Sequence, residues 1–175
     1  MLMVVLGQTF HGQVAPVPQH VVPKHQPAYV RYDAQAKELI QPLQRKFKFP
    51  LYVPTVLERN SYPDTVAGDK PVRMYWIDGR GKHKALRLVF RTGGNEYWGV
   101  QETDFADAPA LSDRSFRHSV GGREMDFYYS GSHLHMIVLR AHGATYWVVN
   151  TLLDSLSNET MIAIAKGLKP LTAVK

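Results

Sequence analysis

Two histidines in the C-terminal third of the chain form its most suggestive metal-ligand pattern. His133 and His135 are separated by one residue, so a strand would place both imidazoles on the same face. A third ligand can come from a neighbouring strand, from His118, Glu124 or Asp126. The same spacing is typical of a solvated strand surface. We therefore expect no resident metal or other cofactor and keep the two histidines as secondary candidates.

Nucleophile and acid–base chemistry have little support in the sequence. There is no cysteine and no Gly-x-Ser-x-Gly elbow, which excludes thiolate and typical serine-hydrolase chemistry. Glu102, Asp104 and Asp107 lie close together, but we interpret them as surface carboxylates. The sequence favours a non-enzymatic protein. The alternative is a metal-dependent enzyme whose site combines His133 and His135 with Glu124 and Asp126.

Basic residues fall on several neighbouring predicted strands. They alternate with apolar and aromatic residues, which predicts a cationic sheet face that binds an anionic ligand. The predicted ligand-binding residues are Arg73, Lys84, Arg87, Arg91, Arg123 and Arg140. A basic sheet with aromatic side chains can also bind single-stranded nucleic acid. No RNP-type run or helix-turn-helix pattern is present, so nucleic acid is the less favoured partner. The alternative is that the arginines only keep the outer face soluble.

Composition supports one folded domain with a basic surface. The chain has 175 residues, 45% of them hydrophobic, and a formal net charge of +6. This length suffices for a single core. The positive charge favours anionic partners such as wall polymers, anionic lipid surfaces or nucleic acid.

Residues 1–28 and 29–175 differ in character. The first segment is rich in proline and is expected to form an extended arm, which could dock on a neighbouring copy in a homo-oligomer. The second is expected to form a single α+β domain. It begins with a short helical pattern in residues 29–46, which Pro42 should break or kink. Period-two hydrophobicity then predicts strands at 72–77, 85–91, 96–102, 116–120, 124–129, 133–140 and 144–150. The last two strands are apolar on both faces, with Ile137 and Leu139 expected opposite Leu134, Met136 and Val138, which predicts central strands covered by the helix on one face and by more of the chain on the other.

The end of the chain predicts one amphipathic helix. Ser157 or Asn158 can cap its first turn, and Pro170 stops it. Its apolar stripe consists of Met161, Ile164, Ala165 and Leu168. The predicted fold is an α+β domain, a meandering antiparallel sheet with this C-terminal helix packed on it and a shorter N-terminal helix.

Several segments resemble a known family. They are residues 49–54, 97–103, 107–109, 129–134, 146–152 and 156–161, which read FPLYVP, YWGVQET, DAP, YSGSHL, YWVVNTL and LSNETM. Together they are similar to the C-terminal region of some actinobacterial LytR-CpsA-Psr proteins, over about residues 47–171. The chain before Phe47 is too short to hold the catalytic domain of that family, so no catalytic residue is carried over.

The resemblance implies a non-catalytic accessory module outside the cytoplasm, in the cell envelope and near the membrane. Its expected partners are an anionic wall polymer, a lipid-linked precursor or an envelope protein. The strand and helix at the C-terminus also resemble sensing or binding domains of envelope lipoproteins. A structural subunit that docks through its N-terminal arm remains an alternative.

Overall fold

The computed structural model describes residues 29–31, 35–64 and 71–174. The predicted proline-rich arm, residues 1–28, lies outside the described residues. In the described part, neither α-helix has the length and apolar character needed to cross a membrane.

The described N-terminal region supplies short elements. Strand β1 (Tyr29–Arg31) precedes helix α1 (Gln35–Ile40), which passes into a 3₁₀ helix (Gln41–Lys46). The change coincides with Pro42, whose ring cannot continue an α-helix, so the predicted break is confirmed. Ala36 and Ile40 are fully buried and fix α1 to the core.

The remaining strands are mostly those that the period-two pattern predicts. Their bounds are β2 Tyr52–Pro54, β3 Val56–Glu58, β4 Tyr62–Pro63, β5 Val72–Trp76, β6 Lys84–Arg91, β7 Tyr97–Thr103, β8 Phe116–Val120, β9 Arg123–Ser130, β10 His133–Ala141, β11 Ala144–Val149 and β12 Leu168–Pro170. Helix α2 spans Asn158–Lys166. Strands β1, β3, β4 and β12 were not predicted, because two- and three-residue strands carry too few alternating positions to be recognised.

The main sheet has eight antiparallel strands. Its order is β4-β6-β7-β11-β10-β9-β8, and β5 shares the outer edge of β6 with β4. It consists of two meanders, β5-β6-β7 and β8-β9-β10-β11, joined where β11 pairs with β7. The connection from β7 to β8 therefore crosses the whole second meander. Two small sheets, β1-β3 and β2-β12, complete the fold. The predicted α+β class is confirmed.

Each face of the sheet has its own core. On one face, which we call the helix face, α2 and β2 cover residues such as Leu88, Val100 and Ile137. On the opposite face, which we call the loop face, Ala108 and Leu111 of the β7–β8 connection pack on Val138 and Trp147. The two-sided apolar pattern of β10 and β11 thus has the predicted cause. The predicted face of Leu134 was wrong. Leu134 was expected on the same face as Met136 and Val138, but it belongs to the helix-face core, because a register shift between Leu134 and Met136 reverses the alternation.

Helix α2 is capped at both ends. The Ser157 hydroxyl accepts a hydrogen bond from the Thr160 amide at 3.1 Å, which satisfies a first-turn donor. At the other end, Arg123 of β9 donates to the carbonyls of Ala165, Lys166 and Leu168. A cation at these carbonyls also suits the negative end of the helix dipole. The caps fix α2 on the sheet.

Candidate anion-binding site

The strand register divides the six predicted ligand-binding residues between the two faces. Directly paired residues of an antiparallel sheet share a face. Arg73, Arg87, Gln101 and Trp147 form one continuous row, which lies on the loop face. Of the predicted set, Arg73, Arg87, Arg91 and Arg140 project from the loop face, and Lys84 and Arg123 project from the helix face.

Lys84 and Arg123 have structural contacts. The Lys84 ammonium lies 5.0 Å from the ring centre of Trp76, a cation–π contact. Arg123 donates its hydrogen bonds to the end of α2. Burial lowers the pKa of its guanidinium, and the charge of Tyr52 opposes that shift. Lys84 and Arg123 therefore lie apart from the four predicted residues on the loop face, which themselves form two groups.

Three arginines, Arg73, Arg87 and Arg91, form the first cationic group, which we call the β5–β6 arginine set. Arg73 lies directly opposite Arg87 across the strand pair, a position in which like charges repel. Arg91 follows Arg87 by four residues on the same face, about 13 Å farther along the strand. Arg73 and Arg87 are exposed and Arg91 is half-buried. The set is thus a short cationic track along one edge of the loop face.

Aromatic residues flank this track. Tyr97 lies opposite Arg91 and is exposed, and the exposed Tyr75 donates its phenol hydrogen bond to Gln101. Burial raises the pKa of Tyr75, and the Arg87 charge opposes that shift. Arg91 donates to the Asn95 side chain, but its Nε is buried without a hydrogen-bond partner in the described part of the chain. An unsatisfied guanidinium donor of this kind is costly unless something accepts from it.

A second cationic group, which we call the Asp126 cluster, lies on the same face toward the β8 edge. The Asp126 carboxylate is 1% exposed and accepts hydrogen bonds from Nε (2.6 Å) and Nη2 (3.2 Å) of Arg117. Arg140 also donates to Oδ2, the oxygen that accepts from Arg117 Nη2. Arg114 Nη1 lies 3.7 Å from Oδ1 and completes the group. Four strand spacings separate Arg87 from Asp126, about 19 Å.

Hydrogen bonds between the Asp126 carboxylate and the arginines fix the geometry of the Asp126 cluster. Burial by itself raises the pKa of Asp126, but the hydrogen bonds from Arg117 and Arg140 outweigh it, so the pKa is lowered overall. The hydrogen bond between Arg117 and Asp126 also raises the pKa of Arg117. One buried carboxylate thus orients several guanidiniums that remain open to solvent. Of these arginines, the predicted ligand-binding set contains only Arg140. The sequence also placed Arg117 on the basic sheet face, and it gave no signal for Arg114.

A third feature was not predicted from the sequence. A pocket of about 460 Å³ lies between the β5–β6 turn and the β7–β8 connection. His83 stacks on Phe105 with ring centres 4.6 Å apart, and His83 Nδ1 lies 3.1 Å from Asp104 Oδ1. Arg80 and Lys82 add cationic lining. The pocket offers an apolar wall beside positive charge.

The predicted histidine site is not assembled. His135 Nδ1 lies 2.9 Å from Asp154 Oδ1. His133 pairs with Ser130 at the end of the β9–β10 strand pair. Asp126 pairs with Val138, farther along the strands, and its carboxylate is engaged by arginines. Among residues 29–31, 35–64 and 71–174, no group of three or more His, Asp or Glu side chains could hold a metal ion.

A tight turn after β11 also presents an unusual surface. The buried Asn150 side chain donates to the carbonyls of Leu134 and Leu156 and accepts from the amides of Thr151 and Leu156. These bonds shape a turn whose leucines, Leu152 and Leu153, are 97% and 80% exposed. The sequence pattern predicted neither the turn nor the exposure of its leucines, since both depend on the contacts of Asn150.

Comparison with known proteins identifies no family. The chain matches no protein-family model, no curated protein and no solved structure. The LytR-CpsA-Psr resemblance of residues 47–171 stays a prediction.

Proposed function

We propose that this protein is a non-catalytic binding module for an anionic polymer, which it holds along the β5–β6 arginine set. The observation that carries the proposal is the placement of Arg73, Arg87 and Arg91 on one face of two paired strands. Guanidiniums that lie on one face of paired strands can together bind successive charges of one polyanion.

The size and flanks of the track favour an extended ligand. Arg87 and Arg91 are about 13 Å apart along β6, a distance that suits successive charges of a polymer better than one small ion. Tyr75 and Tyr97 provide exposed rings beside the guanidiniums, and such rings pack on sugar or base faces. The chain charge of +6 strengthens the encounter with any polyanion.

The sequence resemblance selects among polyanions. It points to an anionic wall glycopolymer, or a lipid-linked precursor of one, and to a location outside the cytoplasm. These assignments are part of the proposal and rest on sequence alone. The Asp126 and histidine geometry gives no specific observation in favour of the metal-dependent enzyme, so binding is the function we propose.

Titration of the purified protein with wall glycopolymer, at several salt concentrations, tests the proposal. We expect the affinity to fall as salt rises, because binding releases counterions. Arg87→Gln should weaken binding about tenfold, since a charge-assisted hydrogen bond contributes roughly 1.5–3 kcal/mol. Arg45→Gln, an exposed arginine on the 3₁₀ helix, is the matched control.

Two results would contradict the proposal. One is equal affinity of the Arg87→Gln and Arg45→Gln proteins for the polymer. The other is stronger binding of a single-stranded oligonucleotide than of the glycopolymer under the same conditions, which would replace the wall polymer by nucleic acid.

A further inference from the structure

We infer that the Asp126 cluster is a separate binding site for a compact tetrahedral oxyanion, such as a phosphoryl or sulfo group. It differs from the β5–β6 arginine set in size, position and construction, and it does not depend on the proposed polymer binding. Ala108 and Leu111 cover the apolar surface between the two groups.

The first argument is charge. Three guanidiniums surround one carboxylate, and their side chains are 49%, 46% and 38% exposed for Arg114, Arg117 and Arg140. A single arginine would have sufficed to neutralise Asp126. The cluster therefore keeps an excess of positive charge directed at solvent, which Glu124 on its rim only partly offsets.

The second argument is donor capacity. A guanidinium carries five N–H donors, about fifteen for the three side chains. Asp126 accepts three hydrogen bonds, two from Arg117 and one from Arg140. Arg114 is 3.7 Å away, beyond hydrogen-bonding distance, so its planar fork is available to another acceptor. Forks of this kind match the oxygen pairs of phosphate and sulfate.

The third argument is preorganisation. A depression of about 130 Å³ is lined by Arg117, Glu124, Asp126, Val138 and Arg140. Arg114 is not part of this lining, but its Nη1 lies 3.7 Å from Asp126 Oδ1. The volume of the depression is well below the roughly 300–1,000 Å³ of a pocket for a drug-sized molecule, so it suits a small ion. Because the buried Asp126 fixes the guanidiniums of Arg117 and Arg140, these two side chains would lose little entropy when a ligand binds. Asp126 acts here as a positioning residue.

Calorimetric titration of the full chain with inorganic phosphate and with sodium sulfate, at constant ionic strength, tests the inference. We expect saturable one-to-one binding of both ions. Arg114→Gln should weaken it roughly tenfold or more, since it removes charge-assisted hydrogen bonds. This variant should remain folded because Arg114 makes no hydrogen bond to Asp126. Glu124→Gln should tighten binding, because it removes a negative charge from the rim.

The matched control separates this site from a general effect of charge. Arg45→Gln should bind phosphate as the unmodified protein does. The inference is overturned if the unmodified protein shows no saturable phosphate or sulfate binding. It is also overturned if Arg114→Gln and Arg45→Gln weaken phosphate binding equally, since that result shows a general charge effect. Neither result bears on polymer binding by Arg87, which the glycopolymer titration decides.

Discussion

The pH dependence of stability should depend on Glu102, a buried carboxyl on the helix face. It lies between Leu86 and Tyr146 in the sheet and is 0% exposed. Its Oε2 accepts a 2.8 Å hydrogen bond from the Tyr52 amide, and its Oε1 has no partner in the described part of the chain. Burial raises the pKa of Glu102 well above its ordinary value, and the Tyr52 hydrogen bond opposes the shift without cancelling it.

The sign and size of the effect follow from proton counting. The unfolded chain releases the Glu102 proton near the ordinary glutamate pKa of about 4.3, whereas the folded protein keeps it up to its raised pKa. Between those two values the folded state holds one more proton. The contribution of Glu102 to the free energy of unfolding is therefore largest below about pH 4. It falls by about 1.4 kcal/mol per pH unit as the pH rises. The decline stops above the folded pKa.

Urea unfolding of the unmodified protein and of Glu102→Gln, at pH 5, 6, 7 and 8, measures this slope. Glutamine cannot ionise, and its oxygen can still accept from the Tyr52 amide. We expect the unmodified protein to lose stability relative to the variant by about 1.4 kcal/mol per pH unit until the folded pKa is reached. The amide nitrogen of glutamine, without a partner, adds a pH-independent cost of about 1–3 kcal/mol.

The shifted pKa values of Asp126, Tyr52 and Tyr146 act outside this window. The lowered pKa of Asp126 affects stability only at acidic pH, and the raised pKa values of Tyr52 and Tyr146, both caused by burial, act above about pH 10. Glu159→Gln, an exposed carboxylate on α2, controls for the loss of a charge. A stability difference between the unmodified protein and Glu102→Gln that is constant from pH 5 to 8 would refute the reasoning, because it would mean that Glu102 is ionised in the folded protein.

Three further substitutions test the local structure. Asn150→Ala should lower the free energy of unfolding by about 3 kcal/mol in urea, because it leaves several buried backbone groups unsatisfied; a loss below about 1 kcal/mol would argue against its role in the turn. Ser157→Ala should cost about 1 kcal/mol, measured by thermal unfolding followed by circular dichroism, because an N-cap is lost; an unchanged midpoint contradicts this. Arg123→Gln should speed amide hydrogen exchange at the end of α2, because three carbonyls lose their donor; unchanged exchange there would show that packing alone holds the helix end.

Local chemistry explains why much of the fold could be predicted. The alternation in β6, with Leu86, Leu88 and Phe90 on one side and Arg87 and Arg91 on the other, needs only the geometry of a strand. The end of α1 before Pro42 and the start of α2 after Ser157 follow from the hydrogen bonds that these residues can or cannot make. Short strands such as β4 and β12 escaped prediction because they exist only through their partners.

The candidate site was less predictable, because register between distant strands is not a local property. Arg123 is as basic as Arg87, but the pairing of β9 with β10, β11 and β7 places it on the helix face. Lys84 lies on the helix face for a local reason, because it alternates with Arg87 along β6. Arg114 belongs to a connection with no periodic pattern, yet it reaches Asp126 of β9. The expected surface position of Glu102 was wrong for the same reason, since strands and chain distant in sequence bury it.

The sequence by itself determined the longer strands, the capped C-terminal helix, the apolar character of both faces of β10 and β11 and the basic character of the chain. Each of these depends on neighbouring residues, whose spacing already contains the physical cause. Only the tertiary structure decided which cations act together. Asp126 is buried because Val138 and the β8 edge surround it, and burial is what gathers Arg114, Arg117 and Arg140 around its charge. Contacts between strands distant in sequence create that environment, and no single segment contains it.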